Sequence, residues 1–163
     1  MDRVVTAAVA LGSNLGDRRS HLEFAVARLA AVLDNLRVSS FHETEPVGVP
    51  DAQPPFLNAA AVGAAEVPAR ELLAALLDIE RERGRERPFP GARRTLDLDL
   101  ILFGDLVVWE PDLIVPHPRF RRRRFVLEPL SEIAPQLHDP VTGETVVALL
   151  RRLGPSPPPG RAE

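Results

Sequence analysis

The spacing of apolar residues changes several times along this 163-residue chain, and each change marks an element. Residues 4–11 are a β-branched and alanine-rich run that stops at Gly12, the pattern of a buried strand. Over 19–33, Leu22, Val26, Leu29 and Leu33 recur at helical spacing. Residues 36–44 read as extended, 45–55 as a proline-punctuated loop and 56–64 as another strand. Pro68 suits the first turn of a second helix, which continues through Leu72, Leu73, Leu76, Leu77 and Ile79 to about residue 83. Residues 84–93 mix arginine, proline and glycine and read as an exposed loop. Residues 96–103 are strongly strand-like, and Gly104-Asp105 predicts a hairpin turn into 106–109. A short helix over 125–133, despite Pro129, and a terminal helix over 144–153 complete the pattern. The spacing therefore predicts an α+β fold: a mixed, mostly antiparallel sheet sandwiched by helices, with a ferredoxin-like β-α-β-β-α-β core. One domain spans 1–153, and the proline-rich residues 154–163 read as a disordered tail.

Composition narrows the chemistry. Hydrophobic residues make up 45% and charged residues 26%, ordinary for one globular domain, and the net charge of −3 argues against a generally basic nucleic-acid binder. No run approaches the roughly 20 apolar residues of a membrane span, and no signal peptide opens the chain. The absence of cysteine excludes disulfides and thiolate sites and fits a reducing cytoplasm. All 20 basic residues are arginine. Without lysine, the phosphate-loop ATPases, the protein-kinase type and Schiff-base chemistry fall away. Any phosphate chemistry must run on arginine, histidine, backbone amides and metals.

The sharpest local feature is Arg94-Thr95-Leu96-Asp97-Leu98-Asp99-Leu100. Strand alternation puts the three leucines on one face and Asp97 and Asp99 on the other, with their α-carbons about 7 Å apart. Paired carboxylates of this kind suit Mg²⁺ together with substrate phosphates; the competing reading is an edge strand with a solvated charged face. Arg81, Arg83, Arg85, Arg87, Arg93 and Arg94 precede this strand, and Arg119 and Arg121 to Arg124 follow it. Such a density suits a polyphosphate ligand. Interleaved Glu80, Glu82 and Glu86 also allow a salt-bridged, solvated surface. Residues 12–17 could be a backbone-approach turn or simple strand-to-helix punctuation capped by Asn14 or Asp17. Phe41, Phe56, Phe89, Phe120 and Phe125 lie in or beside the loops and arginine clusters, available to stack on a planar heterocycle or to fill the core. Asn58 shares a strand face with Phe56, and His117 directly precedes the second arginine cluster.

Leu11-Gly12-Ser13-Asn14-Leu15-Gly16-Asp17, Phe56-Leu57-Asn58-Ala59-Ala60, the Arg94–Leu100 string, Val115-Pro116-His117-Pro118 and Phe125-Val126-Leu127-Glu128-Pro129-Leu130 stand in one order and spacing. Together they resemble the 6-hydroxymethyl-7,8-dihydropterin pyrophosphokinases of folate biosynthesis, over residues 4–150. The resemblance implies transfer of pyrophosphate from ATP, as co-substrate, to the pterin hydroxymethyl oxygen, releasing AMP. It implies two Mg²⁺ ions held by Asp97 and Asp99, with Arg85 and Arg94 on the phosphates as the other catalytic groups. Arg87, His117, Arg123 and Glu80 would lie by the nucleotide. Phe56 and Phe125 would sandwich the pterin, with Asn58, Thr44, Val47 and Phe89 completing its site. Leu77 and Glu45 depart from the glutamine and proline common in the family. It further implies a cytoplasmic monomer acting on small molecules, with no nucleic-acid or membrane partner. The rival reading is an arginine-rich nucleotide- or RNA-binding module without catalysis.

Overall fold

A computed structural model describes residues 4–44, 55–84 and 95–155. The core runs β1 (Val5–Ser13), α1 (Arg18–Leu29), β2 (Asp34–Val38), β3 (His42–Thr44), β4 (Phe56–Ala65), α2 (Ala69–Gly84) and β5 (Asp97–Phe103). After it come β6 (Val108–Glu110), β7 (Leu113–Val115), a 3-10 turn (Phe120–Arg122), α3 (Arg124–Ile133) and α4 (Val146–Arg152). The main sheet has the order β2-β4-β1-β5, with β3 also on β4, and every pairing is antiparallel. β2 and β3 are one interrupted edge: between them Ser39 N–H donates to Ala60 O, and Ala60 N–H donates to Ser39 Oγ. With that edge counted as one strand, the order is that of a ferredoxin-like core, as the pattern predicted.

Both faces of the sheet are covered by helices. Ala7, Val9 and Leu11 of β1 and Ala59, Ala61 and Ala65 of β4 pack with Leu22, Ala25 and Leu29 of α1 and Leu72, Leu76 and Ile79 of α2. Ala8, Ala10, Ala60 and Val62 pack on the other face with Val126, Leu127 and Leu130 of α3 and Val146 and Leu149 of α4. Alternation along continuously apolar strands explains this double burial. The small side chains let the layers approach. A Cβ on Gly63 would stand 2.8 Å from Leu33 Cβ, so a side chain there would collide with the turn after α1.

β5 carries a one-residue bulge. Ala8 pairs with Leu102 and Val9 with Leu100, leaving Ile101 as the extra residue. Before the bulge, Leu98 and Leu100 face α1 and α2, so Asp97 and Asp99 face the α3 side, as alternation predicted. After it the phase reverses: Ile101 and Leu102 join the α3–α4 layer and Phe103 the other.

Boundaries shift by a few residues. α1 ends at Leu29, and Leu33 is buried from the turn beyond it. One expectation is corrected: the chain turns at Gly104 (φ 56°) but does not return along β5, because β6 pairs with β7 in a separate two-stranded sheet. Gly104 N–H instead donates to Thr6 O of β1, which carries the chain past the edge. The loop expectations over 45–55 and 84–93, apart from Pro55 and Gly84, lie outside the described residues, as do residues 156–163 of the tail.

Candidate active site

The register lines up the chemistry. Gly12 pairs with Asn58 on one side and Asp97 on the other, while His42 pairs with Asn58. Two residues along, Ala10 lies between Ala60 and Asp99. These positions share the sheet face that α3 covers. Near the start of α3 the cover ends, and a cleft of about 230 Å³ opens over Ala10, Leu11, Gly12, Phe56, Asn58, Asp97, Asp99, Arg123 and Phe125. That is room for a small organic molecule, since a water occupies about 30 Å³. Alanine and glycine make the floor low enough for the longer side chains to converge. A Cβ on Gly12 would lie 3.2 Å from Asn58 Oδ1, so any side chain there would press on that amide.

Each wall has its own support. Asn58, only 4% exposed, donates from Nδ2 to Thr44 Oγ1 at 2.7 Å, which fixes the amide across the β3–β4 pair. Phe56 pairs with Thr44 and lies on the same face as Asn58. Opposite, the Arg123 guanidinium sits 5.5 Å from the centre of the Phe125 ring, and Phe125 is 41% exposed. Buried Phe120 anchors the turn leading into α3. Asp97 and Asp99 are half-buried: β5 is the edge strand, as the competing reading had it, but its two carboxylates line the cleft.

His117 stands beside the bulge, its N–H donating to Ile101 O. Burial lowers its pKa from 6.5, opposed by the Asp99 carboxylate and assisted by Arg123 and Arg119. Its Nδ1 accepts the Arg119 N–H at 3.1 Å. In the neutral ring the proton therefore sits on Nε2, a donor.

Sequence alone did not sort the arginines. Arg121 is committed to fully buried Asp139, with Nη2 at 3.0 Å from Oδ1. Arg124 donates to the carbonyls of Leu153 and Gly154 at the end of α4. Arg81 pairs with Asp78, while Arg83 donates to His21 and Ser20 and lies over Phe24. Of these clusters, only Arg123 lines the cleft among the described residues. Glu80 is not part of its lining: its Oε2 accepts the Leu98 N–H at 2.7 Å and satisfies a donor of edge strand β5. Val47, Arg85, Arg87, Phe89 and Arg94 lie outside the described residues. Sequence reasoning also missed a latch at the far end of α3. Glu132 accepts from Ser40 N–H and Ser40 Oγ, both at 2.7 Å, and lies 2.9 Å from His42 Nε2. These bonds hold its pKa at about 2. Asp17, one of the two predicted caps, does cap α1 by accepting the Ser20 N–H.

Asp97 and Asp99 present hard oxygen donors to one cleft, which fits Mg²⁺. No group of three histidine, cysteine or acidic side chains placed to hold a metal ion occurs among the described residues. The protein would thus supply two carboxylates, leaving other positions to phosphates and water, the usual manner of binding Mg²⁺.

Fold and cleft together define an antiparallel α+β domain with an open cleft at the uncovered end of its sheet. Residues 8–135 match the family model described as 7,8-dihydro-6-hydroxymethylpterin-pyrophosphokinase (HPPK), and the chain belongs to that family. It is 45% identical over 138 residues to the 2-amino-4-hydroxy-6-hydroxymethyldihydropteridine pyrophosphokinase of Bacillus subtilis, covering 83% of this chain and 82% of the relative. The Synechocystis protein of the same name is 40% identical over 149 residues, covering 90% and 75%. Among solved structures, wild-type Plasmodium falciparum HPPK-DHPS superposes with a TM-score of 0.72 at 14% identity, over 93% of this chain and 45% of that one, a likeness of fold.

Proposed function

We propose that the cleft over the uncovered end of the sheet is where this chain brings ATP and a reduced pterin together. The reaction is transfer of pyrophosphate from ATP to the hydroxymethyl group of 6-hydroxymethyl-7,8-dihydropterin, releasing AMP, a step of folate biosynthesis. The carrying observation is the register that sets Asn58, Gly12 and Asp97 in one row beneath Phe125 and Arg123. One end of that row suits a flat polar heterocycle and the other a polyphosphate, the two partners such a transfer must join.

Phe56 and Phe125 stack on the pterin faces. Asn58, with one N–H already given to Thr44, keeps its other N–H and Oδ1 for the ring edge. Asp97 and Asp99 would hold two Mg²⁺ ions against the phosphates. Bound there, Mg²⁺ would supply Lewis-acid neutralisation of the phosphate charge. Arg123 and the N-terminus of α3 contribute fixed positive charge, and the neutral His117 contributes an Nε2–H donor. By resemblance, Arg85 and Arg94 clamp the phosphates, and Glu80 and Arg87 lie by the nucleotide, while Val47 and Phe89 complete the pterin site. Binding to rigid strands gives proximity without much reorganisation. We take the chain to act as a cytoplasmic monomer on these small molecules. No helix among the described residues is long and apolar enough to cross a membrane. The alternative of a non-catalytic RNA-binding module has no support among the relatives, and the commitment of Arg121 and Arg124 to internal bonds speaks against a basic stripe.

The test is to incubate the protein with ATP, Mg²⁺ and 6-hydroxymethyl-7,8-dihydropterin and to separate the nucleotides. AMP that depends on the pterin is expected. ADP in its place would mean single-phosphoryl transfer and overturn the reading.

A further inference from the structure

The turn between β1 and α1 contains more than punctuation. Gly16 takes a left-handed φ of 67°, Asp17 caps the helix, and the next residue, Arg18, is thereby aimed back across the sheet edge. Its guanidinium bridges β3 and the residue just before β4: Nη1 donates to Pro55 O at 2.5 Å and Nη2 to Glu43 Oε2 at 2.8 Å. Glu43 precedes Thr44 in β3, and Pro55 precedes Phe56 in β4. Thr44 and Phe56 are paired, and Thr44 also accepts the Asn58 amide. Both bonds of Arg18 therefore fall one residue from the groups that form the β3–β4 wall of the cleft.

From this geometry we infer that Arg18 is a positioning residue for the pterin side of the site, clasping the ends of β3 and β4 so that Phe56, Thr44 and Asn58 keep their spacing. This rests on the assignment of those three residues to the pterin. The planar fork suits the task, since a guanidinium offers two divergent N–H groups in a fixed plane. Stability is not its main contribution. The Glu43 side chain is 56% exposed, and solvated ion pairs add little to folding. The clasp lies on the β3–β4 side, away from Asp97 and Asp99 on β5, so its loss should be felt by one substrate and not the other.

The experiment measures kcat and both KM values for Arg18→Ala, Glu43→Ala and the double variant, with Phe56→Ala as the reference for the pterin site. Arg18→Ala is expected to raise the pterin KM by about tenfold while the ATP KM stays within about twofold. Glu43→Ala should raise the pterin KM less, and the double variant should resemble Arg18→Ala, because the two residues act as one unit. An unchanged pterin KM, or an equal rise for both substrates, overturns the inference. If Phe56→Ala also leaves the pterin KM unchanged, the site assignment itself falls; if Phe56→Ala raises it and Arg18→Ala does not, only the clasp falls. Should Arg18→Ala not fold, Arg18→Lys, which keeps the charge without the planar fork, must show the same selective rise.

Discussion

The two faces of the central sheet have nearly the same strands to work with and end up with different tasks. On the α1–α2 face, leucines from both helices cover the sheet, and the carboxylate that comes near it, Glu80, is spent on a backbone N–H. On the α3–α4 face the cover stops at the start of α3, and beyond it stand Asn58, Asp97 and Asp99 on a floor of alanine and glycine. A sheet closed on both sides would bury those groups at a heavy desolvation cost. A short layer leaves the two carboxylates half-exposed and Asn58 in the cleft lining, all mounted on strands whose spacing the ladder fixes. The difference lies in where a helix begins, since the strand residues of both faces are largely small and apolar.

Breaking the open face should abolish chemistry and spare folding. Asp97→Ala and Asp99→Ala are each expected to lower kcat/KM by at least about 10³-fold, roughly 4 kcal/mol, with the melting temperature little changed. Steady-state kinetics beside calorimetry checks this, and near-normal activity in either variant removes that carboxylate from the site. The closed face should behave in the opposite way. Leu72, fully buried under the sheet, should cost about 2–5 kcal/mol of stability as Leu72→Ala, read by denaturant unfolding, while the folded fraction keeps its kcat. A loss of turnover at full folding would show that the two faces are not separable.

The smallest effect sharpens the comparison within the α3 face. The Glu132 carboxyl titrates at about 2 in the folded protein against an ordinary 4.5. Its contribution is therefore present above pH 4.5 and lost as pH falls from there toward about 2. The side chain is 40% exposed, so solvent screening holds the contribution to about 1 kcal/mol or less. Glu132→Gln should flatten the acid limb of the melting-temperature profile and leave neutral-pH activity in place. A profile identical to the parent's would mean the latch is absent in solution.

Much of this was legible in the sequence because period and position coincide. β1, β4 and β5 are long, strongly apolar strands, and the alternation of leucine and aspartate before Ile101 assigned both carboxylates to one face. What period cannot carry is partnership between distant elements. Nothing local told Arg123, at the cleft, from Arg121 and Arg124, whose partners lie 18 and about 30 residues away. The Gly104 turn was read correctly as a turn, yet its sequel pairs with β7, a choice made by tertiary packing. The latch at Glu132 joins residues 92 apart, and no signal along the chain announced it.

The extra residue in β5 has a genetic corollary. Ile101 stands outside the frame of the strand, like a letter the reading skips: substitution there changes a side chain, and deletion would leave every residue before it pointing the same way. Leu102 already meets Ala8 and Leu100 meets Val9, so removing Ile101 would restore unbroken alternation, whereas removing a residue from Leu98 to Leu100 with the bulge kept would turn Asp97 toward the leucine face. This strand should therefore keep its register on loss of Ile101 and lose it on loss of a residue between Asp97 and Leu100.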